Sequence, residues 1–448
     1  MKIICYSFIS GLFIISLLST RVFTQEAPKA AKPNIIFILA DDLAMGDIGP
    51  YGQTKIETPA LDCMAREGVR FTQGYSGTSV CAPSRSSLMT GLHMGHCPIR
   101  ANREIQPEGQ KPLPGDTCTV AKLLKSGGYS TMCAGKWGMG MFDTEGSPLK
   151  MGFDNFYGYN CQRHAHSYFP DYIYENDTRI ELDGKTYSQD FIINSTLNWI
   201  RHHKDEPFFV FYAATLPHGE YEIDSLGQYE NKEGWSDRQK TYAAMVTRLD
   251  THIGQIFDLL EELDLDDNTI VFFAGDNGSA FAPDSEISRF FDSNAGLRDY
   301  KRSLYEGGLR QAFLARWPKH IAADFVCDTP IAFWDCLPTC AELCGTKVPD
   351  GIPHDGVSIL PALLQGDKLE RDTFYWELHE AGKPIQAARW KDWKFVKNGF
   401  DQPIELYDLK NDIGETNNLA LQHPEIIRIG EGLLQSLRTE HPDWPMKK

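Results

Sequence analysis

Three short runs in the chain are apolar at nearly every position, and each runs into polar residues. Residues 33–40 (Pro-Asn-Ile-Ile-Phe-Ile-Leu-Ala) lead into Asp41-Asp42. Residues 207–213 (Pro-Phe-Phe-Val-Phe-Tyr-Ala) end just before Pro217-His218. Residues 269–274 (Thr-Ile-Val-Phe-Phe-Ala) lead into Gly275-Asp276-Asn277-Gly278. Continuous apolar runs of this length predict strands buried on both faces. Between them the spacing turns helical, as with Met245, Leu249, Ile253, Ile256 and Leu260 inside residues 241–263. Strands alternating with helices predict an α/β domain whose mostly parallel sheet is covered by helices on both faces. Open sheets of this kind bind ligands at the C-terminal ends of their strands, where all three runs deliver polar residues.

Past about Gly366 the texture changes. Residues 373–377, 386–390, 394–397 and 404–407 predict short antiparallel strands, and residues 424–438 a closing helix. The expected organisation is a catalytic domain over residues 33–365 and a small α+β subdomain over residues 366–448. At the start, Lys2 precedes a mostly apolar run over residues 3–18, which is short for a membrane span and suits an export leader. Residues 1–25 are therefore read as a signal peptide, and the protein as exported to a periplasm, an extracellular space or a secretory lumen. No other stretch predicts a membrane span.

Composition changes the picture in two places. The formal net charge of -17 argues against broad nucleic-acid binding and against docking on anionic membranes. It does not exclude an anionic substrate, because a local cluster of Arg, Lys and metal works inside an acidic surface. Of the 11 cysteines, Cys5 belongs to the leader, and apart from Cys81 an odd number remains, so at least one is unpaired within the chain. Cys336, Cys340 and Cys344 are spaced by four, on one helix face, without a partner pair at zinc spacing. Asn176 and Asn194 open glycosylation sequons; Asn277 does too but is expected to be buried at a metal.

Cys81 lies in Ser79-Val80-Cys81-Ala82-Pro83-Ser84-Arg85, with Thr90-Gly91 downstream. Pro83 fits the first turn of a helix, where a missing N–H costs nothing. Cys81 then sits at the helix N-terminus, where free N–H groups and the dipole favour an anion. Arg85, one turn on, can reach back toward it. A buried cysteine beside a helix cap would look the same in isolation. The run Cys-x-Pro-Ser-Arg followed by Leu-x-Thr-Gly resembles the signature of type I sulfatases. That resemblance implies an alkaline-phosphatase-like fold and conversion of Cys81 to formylglycine by a formylglycine-generating or sulfatase-maturating enzyme. The hydrated aldehyde would then attack sulfur.

Other segments resemble the same family in its motif order. Asp41, Asp42, Asp276 and Asn277 are turn-type pairs as well as hard oxygen ligands. The resemblance assigns them, with the group derived from Cys81, one divalent cation, usually Ca²⁺. Lys136 stands in Gly-Lys-Trp-Gly-Met-Gly, where relatives often carry Gly-Lys-Trp-His; Gly138 replaces the histidine that helps expel sulfate. His164 and His166, two apart, share a face of an extended segment and are the place to look for a substitute. Gln162 and Arg163 join them as candidate substrate contacts. His218 in Leu-Pro-His and Lys301 in Leu-Arg-Asp-Tyr-Lys match elements that meet the bridging oxygen and protonate the leaving alcohol. Tyr305 to Gly308 is expected to serve backbone packing.

The resulting expectation is a sulfuric ester hydrolase with Cys81, Arg85, Lys136, His218 and Lys301 as its catalytic set. Its substrate would be a sulfated carbohydrate, with aryl sulfates as further substrates. Tyr168 and Phe169 are read either as stacking platforms for a sugar or as core. Two rivals stand beside this: a phosphonate or phosphate ester hydrolase of the same fold, and a sulfated-glycan-binding relative that has lost turnover with Gly138.

Overall fold

A computed structural model describes residues 32–380 and 382–446. The expected leader lies outside the described residues. The strands in chain order are β1 (Asn34–Ala40), β2 (Val69–Tyr75), β3 (Ser130–Lys136), β4 (Asn155–Tyr159), β5 (Tyr172–Glu175), β6 (Thr178–Glu181), β7 (Phe208–Ala213) and β8 (Thr269–Gly275). They continue with β9 (Arg310–Arg316), β10 (Phe325–Cys327), β11 (Ile331–Ala332), β12 (Thr373–Leu378), β13 (Ile385–Trp390), β14 (Trp393–Lys397) and β15 (Glu405–Asp408).

The large sheet runs β10-β2-β9-β8-β1-β7-β3-β4-β5-β6, with β11 beside β2. The three apolar runs form β1, β7 and β8 at its centre, and β1 pairs in parallel with both others. Every residue of these three strands is buried. Antiparallel pairing enters through β9, which lies between β2 and β8, and at the β4-β5-β6 edge. Alternate side chains of β1 pack on opposite faces, Ile35, Phe37 and Leu39 in one core and Ile36, Ile38 and Ala40 in the other. The helix Asp237–Glu262 covers the second face with Met245, Leu249, Ile253, Ile256 and Leu260, the predicted stripe. Its start is fixed by Ser236, whose hydroxyl accepts from Gln239 N while the Gln239 side chain accepts from Ser236 N.

The second sheet is the antiparallel β12-β13-β14-β15, packed by the helix Pro424–Ser436. It is locked to the first by buried polar bonds. Glu306 bonds Lys394 Nζ at 2.8 Å and the Tyr75 hydroxyl at 2.7 Å, and its backbone N–H donates to Glu415. Glu377, at the end of β12, holds Arg100 at 2.6 Å and Arg438 at 3.0 Å. Trp376 Nε1 donates to Ser76 O and Thr78 Oγ1 to Glu377 O, so the small sheet braces the loop that enters the Cys81 helix. Tyr305 to Gly308 thus includes a charge anchor as well as close backbone packing. A Cβ on Gly307 or Gly308 would fall 2.2 or 2.0 Å from a backbone oxygen.

Among the described residues ten cysteines are present, all free thiols. Cys336 and Cys340 lie on the helix Cys336–Leu343 with sulfurs 3.8 Å apart, and Cys344 caps it. No helix among the described residues is long and apolar enough to cross a membrane.

Candidate active site

Parallel pairing brings the acidic strand ends together. Ala40 on β1 is in register with Gly275 on β8, so Asp41 and Asp276 leave neighbouring strands side by side. Asp276 N–H donates to Ala40 O at 2.9 Å, and Asp41 N–H to Leu216 O at 3.0 Å, tying in the segment after β7. Asp42 has φ +61, a left-handed conformation that a short polar side chain tolerates, and its N–H donates to Asp276 Oδ1 at 3.2 Å. Lys136 ends β3, and His218 follows β7 in a turn held by its N–H to Thr215 O.

The helix Cys81–Thr90 enters this cluster with all its residues buried. Val80 is extended, and Cys81 is the first helical residue. One donor of that first turn without a partner in the helix is satisfied from outside: Ala82 N–H donates to Asn102 Oδ1 at 3.0 Å. Nothing in the sequence marks Asn102 for this. Cys81 Sγ lies 3.3 Å from Asp41 Oδ1 and 3.5 Å from Lys301 Nζ. Burial, and then the charge on Asp41, push the Cys81 thiol up. A thiol held protonated is a poor nucleophile in its encoded form.

Cations and carboxylates interleave around the sulfur. Lys136 Nζ bonds Asp41 Oδ2, and Lys301 Nζ meets both oxygens of Asp42 at 2.6 and 2.7 Å. Lys301 Nζ is also 3.2 Å from His218 Nε2, which lies 3.3 Å from Asp42 Oδ2. Arg85 turns to Asp276 Oδ2, with Nε at 3.1 Å and Nη2 at 2.9 Å, and donates to Lys136 O. Burial alone would raise Asp41, but Lys136, His218, Arg85 and Lys301 outweigh it and hold the carboxyl well below its usual range. Asp276 goes the other way: burial, then the charge on Asp41, push it up to about 7, and Arg85 does not offset them.

The oxygen donors suit a hard divalent cation. Asp41, Asp42 and Cys81 converge within 4.8 Å, together with His218. Asn277 Nδ2 donates to Asp42 Oδ1 and Gly278 O, leaving Asn277 Oδ1 buried without a hydrogen-bond partner. Such an orphaned buried acceptor is costly unless a ligand meets it. With three carboxylates and one amide oxygen the donor set fits Ca²⁺ or Mg²⁺.

The predicted pocket segment divides. Residues His164–His166 form a 3-10 turn, not an extended stretch, so the two histidines do not share a face. His164 lies against the Tyr172 ring at 4.1 Å and 3.6 Å from Glu108 Oε1, and both its ring nitrogens are sealed from solvent. His166 stacks on His218, ring centroids 3.9 Å apart at 16°. Burial first, and then the ammonium of Lys136, push His166 down to about 3; burial likewise puts His218 at about 4. Gln162 packs against Gly138, and Arg163 is exposed and paired with Glu104 at 2.9 Å. Tyr168 is core: it is fully buried, and its hydroxyl donates to Thr215 O and His218 O. It holds the His218 turn and offers no face to a sugar. Tyr221, three residues after His218, is a residue that sequence reasoning missed. It stacks on Phe281 at 5.3 Å and feels the charges of Asp42 and Lys301.

A second polar cluster, His93, His96 and Asp355, lies apart from these residues. Gly95 N–H donates to His93 Nδ1 at 3.1 Å, which leaves the proton of the neutral ring on Nε2, facing Asp355. That tautomer opposes a metal at Nε2 and makes the cluster a hydrogen-bonded brace.

The mostly parallel sheet with buried cations and carboxylates at its strand ends, and the small antiparallel sheet beside it, make the fold alkaline-phosphatase-like. Residues 33–346 match the Sulfatase family, and residues 294–442 match the C-terminal region of N-sulphoglucosamine sulphohydrolase. The chain belongs to the sulfatase family and is a sulfuric ester hydrolase. It is 32% identical to N-acetylgalactosamine-6-sulfatase of Homo sapiens, over 88% of this chain and 78% of that one. N-acetylgalactosamine-6-O-sulfatase of Bacteroides thetaiotaomicron is 27% identical over 96% and 98%. Among solved structures, Ps i-CgsB in complex with k-i-k-neocarrahexaose superposes with a TM-score of 0.81 at 29% identity, covering 93% and 95%.

Proposed function

We propose that this protein removes sulfate from a sulfated carbohydrate, using a nucleophile derived from Cys81. The observation that carries the reading is the setting of Cys81: a buried helix N-terminus with Asp41 Oδ1 at 3.3 Å and Lys301 Nζ at 3.5 Å. Such a place binds an anionic group, yet the protonated thiol cannot attack it. Oxidation to formylglycine by a maturation enzyme would supply a hydrated aldehyde there, and a divalent cation held by Asp41, Asp42, Asp276 and Asn277 would draw charge from the sulfate oxygens.

The chain's own groups then divide the work. Lys136, Lys301 and the helix N-terminus bind and orient the sulfate. Arg85 fixes Asp276 and adds positive charge behind the carboxylates. His218 and Lys301, 3.2 Å apart, face the bridging oxygen and deliver a proton to the departing alcohol. Tyr221 shapes that side of the site.

A carbohydrate substrate is supported by the relatives, which are named for N-acetylgalactosamine 6-sulfate or solved with a neocarrahexaose. Export, as the leader suggests, would bring the protein to such polymers. The test is sulfate release from a panel of mono-sulfated sugars, with a phosphonate monoester and a phosphate monoester beside them. Preferential turnover of the phosphonate would favour the phosphonate hydrolase reading. Binding of a sulfated sugar without release would favour a glycan-binding relative.

A further inference from the structure

We propose that Asn102, Glu380 and Arg302 read the hydroxyl groups of the sulfated sugar. Asn102 and Arg302 donate to those hydroxyls, and Glu380 accepts from them. This rests on the sulfated-carbohydrate reading above and names the groups that would choose the sugar.

Three separate segments bring these residues together beside position 81. Strand β12 ends at Leu378, and His379 N–H then donates to Arg100 O at 3.1 Å, which sets Glu380 against Asn102. One Glu380 oxygen accepts from Asn102 N–H at 3.1 Å, and the other from Arg302 Nε at 3.2 Å. Both partners are tied to the entry of the Cys81 helix. Asn102 Oδ1 accepts from Ala82 N–H at 3.0 Å, and Arg302 N–H donates to Ser79 O at 2.9 Å. Arg302 also follows Lys301, whose Nζ lies 3.5 Å from Cys81 Sγ.

A brace alone would use up its donors, and this trio does not. Asn102 spends its carbonyl oxygen on Ala82, and among the described residues its Nδ2 has no partner. Arg302 spends only Nε on Glu380; its Nη1 and Nη2 are likewise without partners there, on a side chain 62% exposed. Arg302 has φ +72, a backbone that glycine adopts freely and that arginine adopts under strain. The chain thus carries strain to keep a guanidinium at this place. Charge selects the ligand. Glu380 already offsets Arg302 and would repel a further anion, whereas a hydroxyl both donates and accepts and so matches free donors set beside a carboxylate.

The experiment starts from parent enzyme shown to carry the aldehyde at position 81. It is compared with Arg302→Gly, which keeps the left-handed backbone, and with Glu380→Gln. Each protein is assayed on the best-cleaved member of a mono-sulfated sugar panel, on the mono-deoxy analogues of that sugar, and on 4-nitrophenyl sulfate. The proposal expects both variants to lose about 10- to 100-fold in kcat/KM on the sugar, mainly through KM. The loss on 4-nitrophenyl sulfate, which has no hydroxyls to read, should be smaller by about tenfold. One deoxy analogue should be poorer than its parent sugar for the parent enzyme but not for Arg302→Gly, where the partner of that hydroxyl is already gone. Equal losses on sugar and aryl sulfate would overturn the proposal and make the trio a brace for the Lys301 loop. So would parent-like kinetics in both variants, or deoxy costs that are the same with and without Arg302. Each of these outcomes leaves the carbohydrate reading standing, because the parent enzyme cleaves a sugar sulfate. Sulfate release by the parent from the aryl ester alone, or from nothing, would sink that reading and this proposal together.

Discussion

Arg85 grips one oxygen of Asp276 with two nitrogens, Nε at 3.1 Å and Nη2 at 2.9 Å, and both side chains are fully buried. The pair joins the Cys81 helix to the end of β8. A planar guanidinium makes this contact and an ammonium cannot reproduce it. Arg85→Lys is expected to lower kcat by about 10²–10³-fold, the size seen when one preorganised charge donor is lost. Arg85→Ala leaves a buried carboxylate less compensated and is expected to cost about 3–5 kcal/mol in urea unfolding. A parent-like midpoint for Arg85→Ala would show that Asp276 is already neutral.

In the proposed reaction His218 and Lys301 protonate the leaving alcohol, so the effect of losing them is expected to depend on the leaving group. A sugar alkoxide leaves poorly without a proton, whereas a nitrophenolate needs little help. His218→Ala is expected to lose about 10²–10⁴-fold in kcat/KM on a sugar sulfate and far less on an aryl sulfate. Equal losses on both substrates would place His218 in sulfate binding instead.

The oxygen cluster predicts dependence on a divalent cation. Treatment with a chelator is expected to abolish turnover and lower Tm, because a ligand that binds only the folded state stabilises it by mass action. Ca²⁺ or Mg²⁺ is expected to restore both. Asp42→Asn is expected to weaken the metal response measured by calorimetry. Unchanged Tm and activity after exhaustive chelation would remove the metal from the account.

Glu377 gives a pH dependence away from the catalytic centre. Burial alone would raise it, but His379, Arg100 and its other partners hold it down to about 2. The ordinary glutamate value is 4.5, so the folded state keeps the carboxylate charged where the unfolded chain would protonate it. This stabilisation is fully present above that ordinary value and is lost as pH falls toward about 2. Its size is about 3 kcal/mol. Glu377→Gln is expected to be less stable at pH 7 and to lose less stability than the parent between pH 5 and pH 2. Parallel acid limbs for the two proteins would contradict this.

The central strands were legible because β1, β7 and β8 are buried on both faces and so carry unbroken apolar runs. The clustering of Asp41, Asp42, Asp276 and His218 was legible for the same reason, since polar residues at the ends of such strands stand out. The helix Cys81–Thr90 was readable from Pro83 and the sulfatase-like motif around it. The antiparallel β9 was not, because its Arg-Gln-Ala-Phe-Leu-Ala-Arg sequence is buried with charged ends and does not announce its direction. The division between His164 and His166 was also hidden: spacing by two places residues on one face only in extended chain, and the segment folds as a 3-10 turn. Asn102 and Tyr221 act through long-range packing, which leaves no local pattern.

The most direct test of the account starts from protein whose position-81 peptide is shown by mass spectrometry to carry the aldehyde. Sulfate release is then measured on mono-sulfated sugars in the presence of Ca²⁺, with Cys81→Ala as control. The account predicts release from one or a few members of the panel and none from the control. Release by Cys81→Ala at the parent rate would contradict the central claim that the nucleophile comes from Cys81.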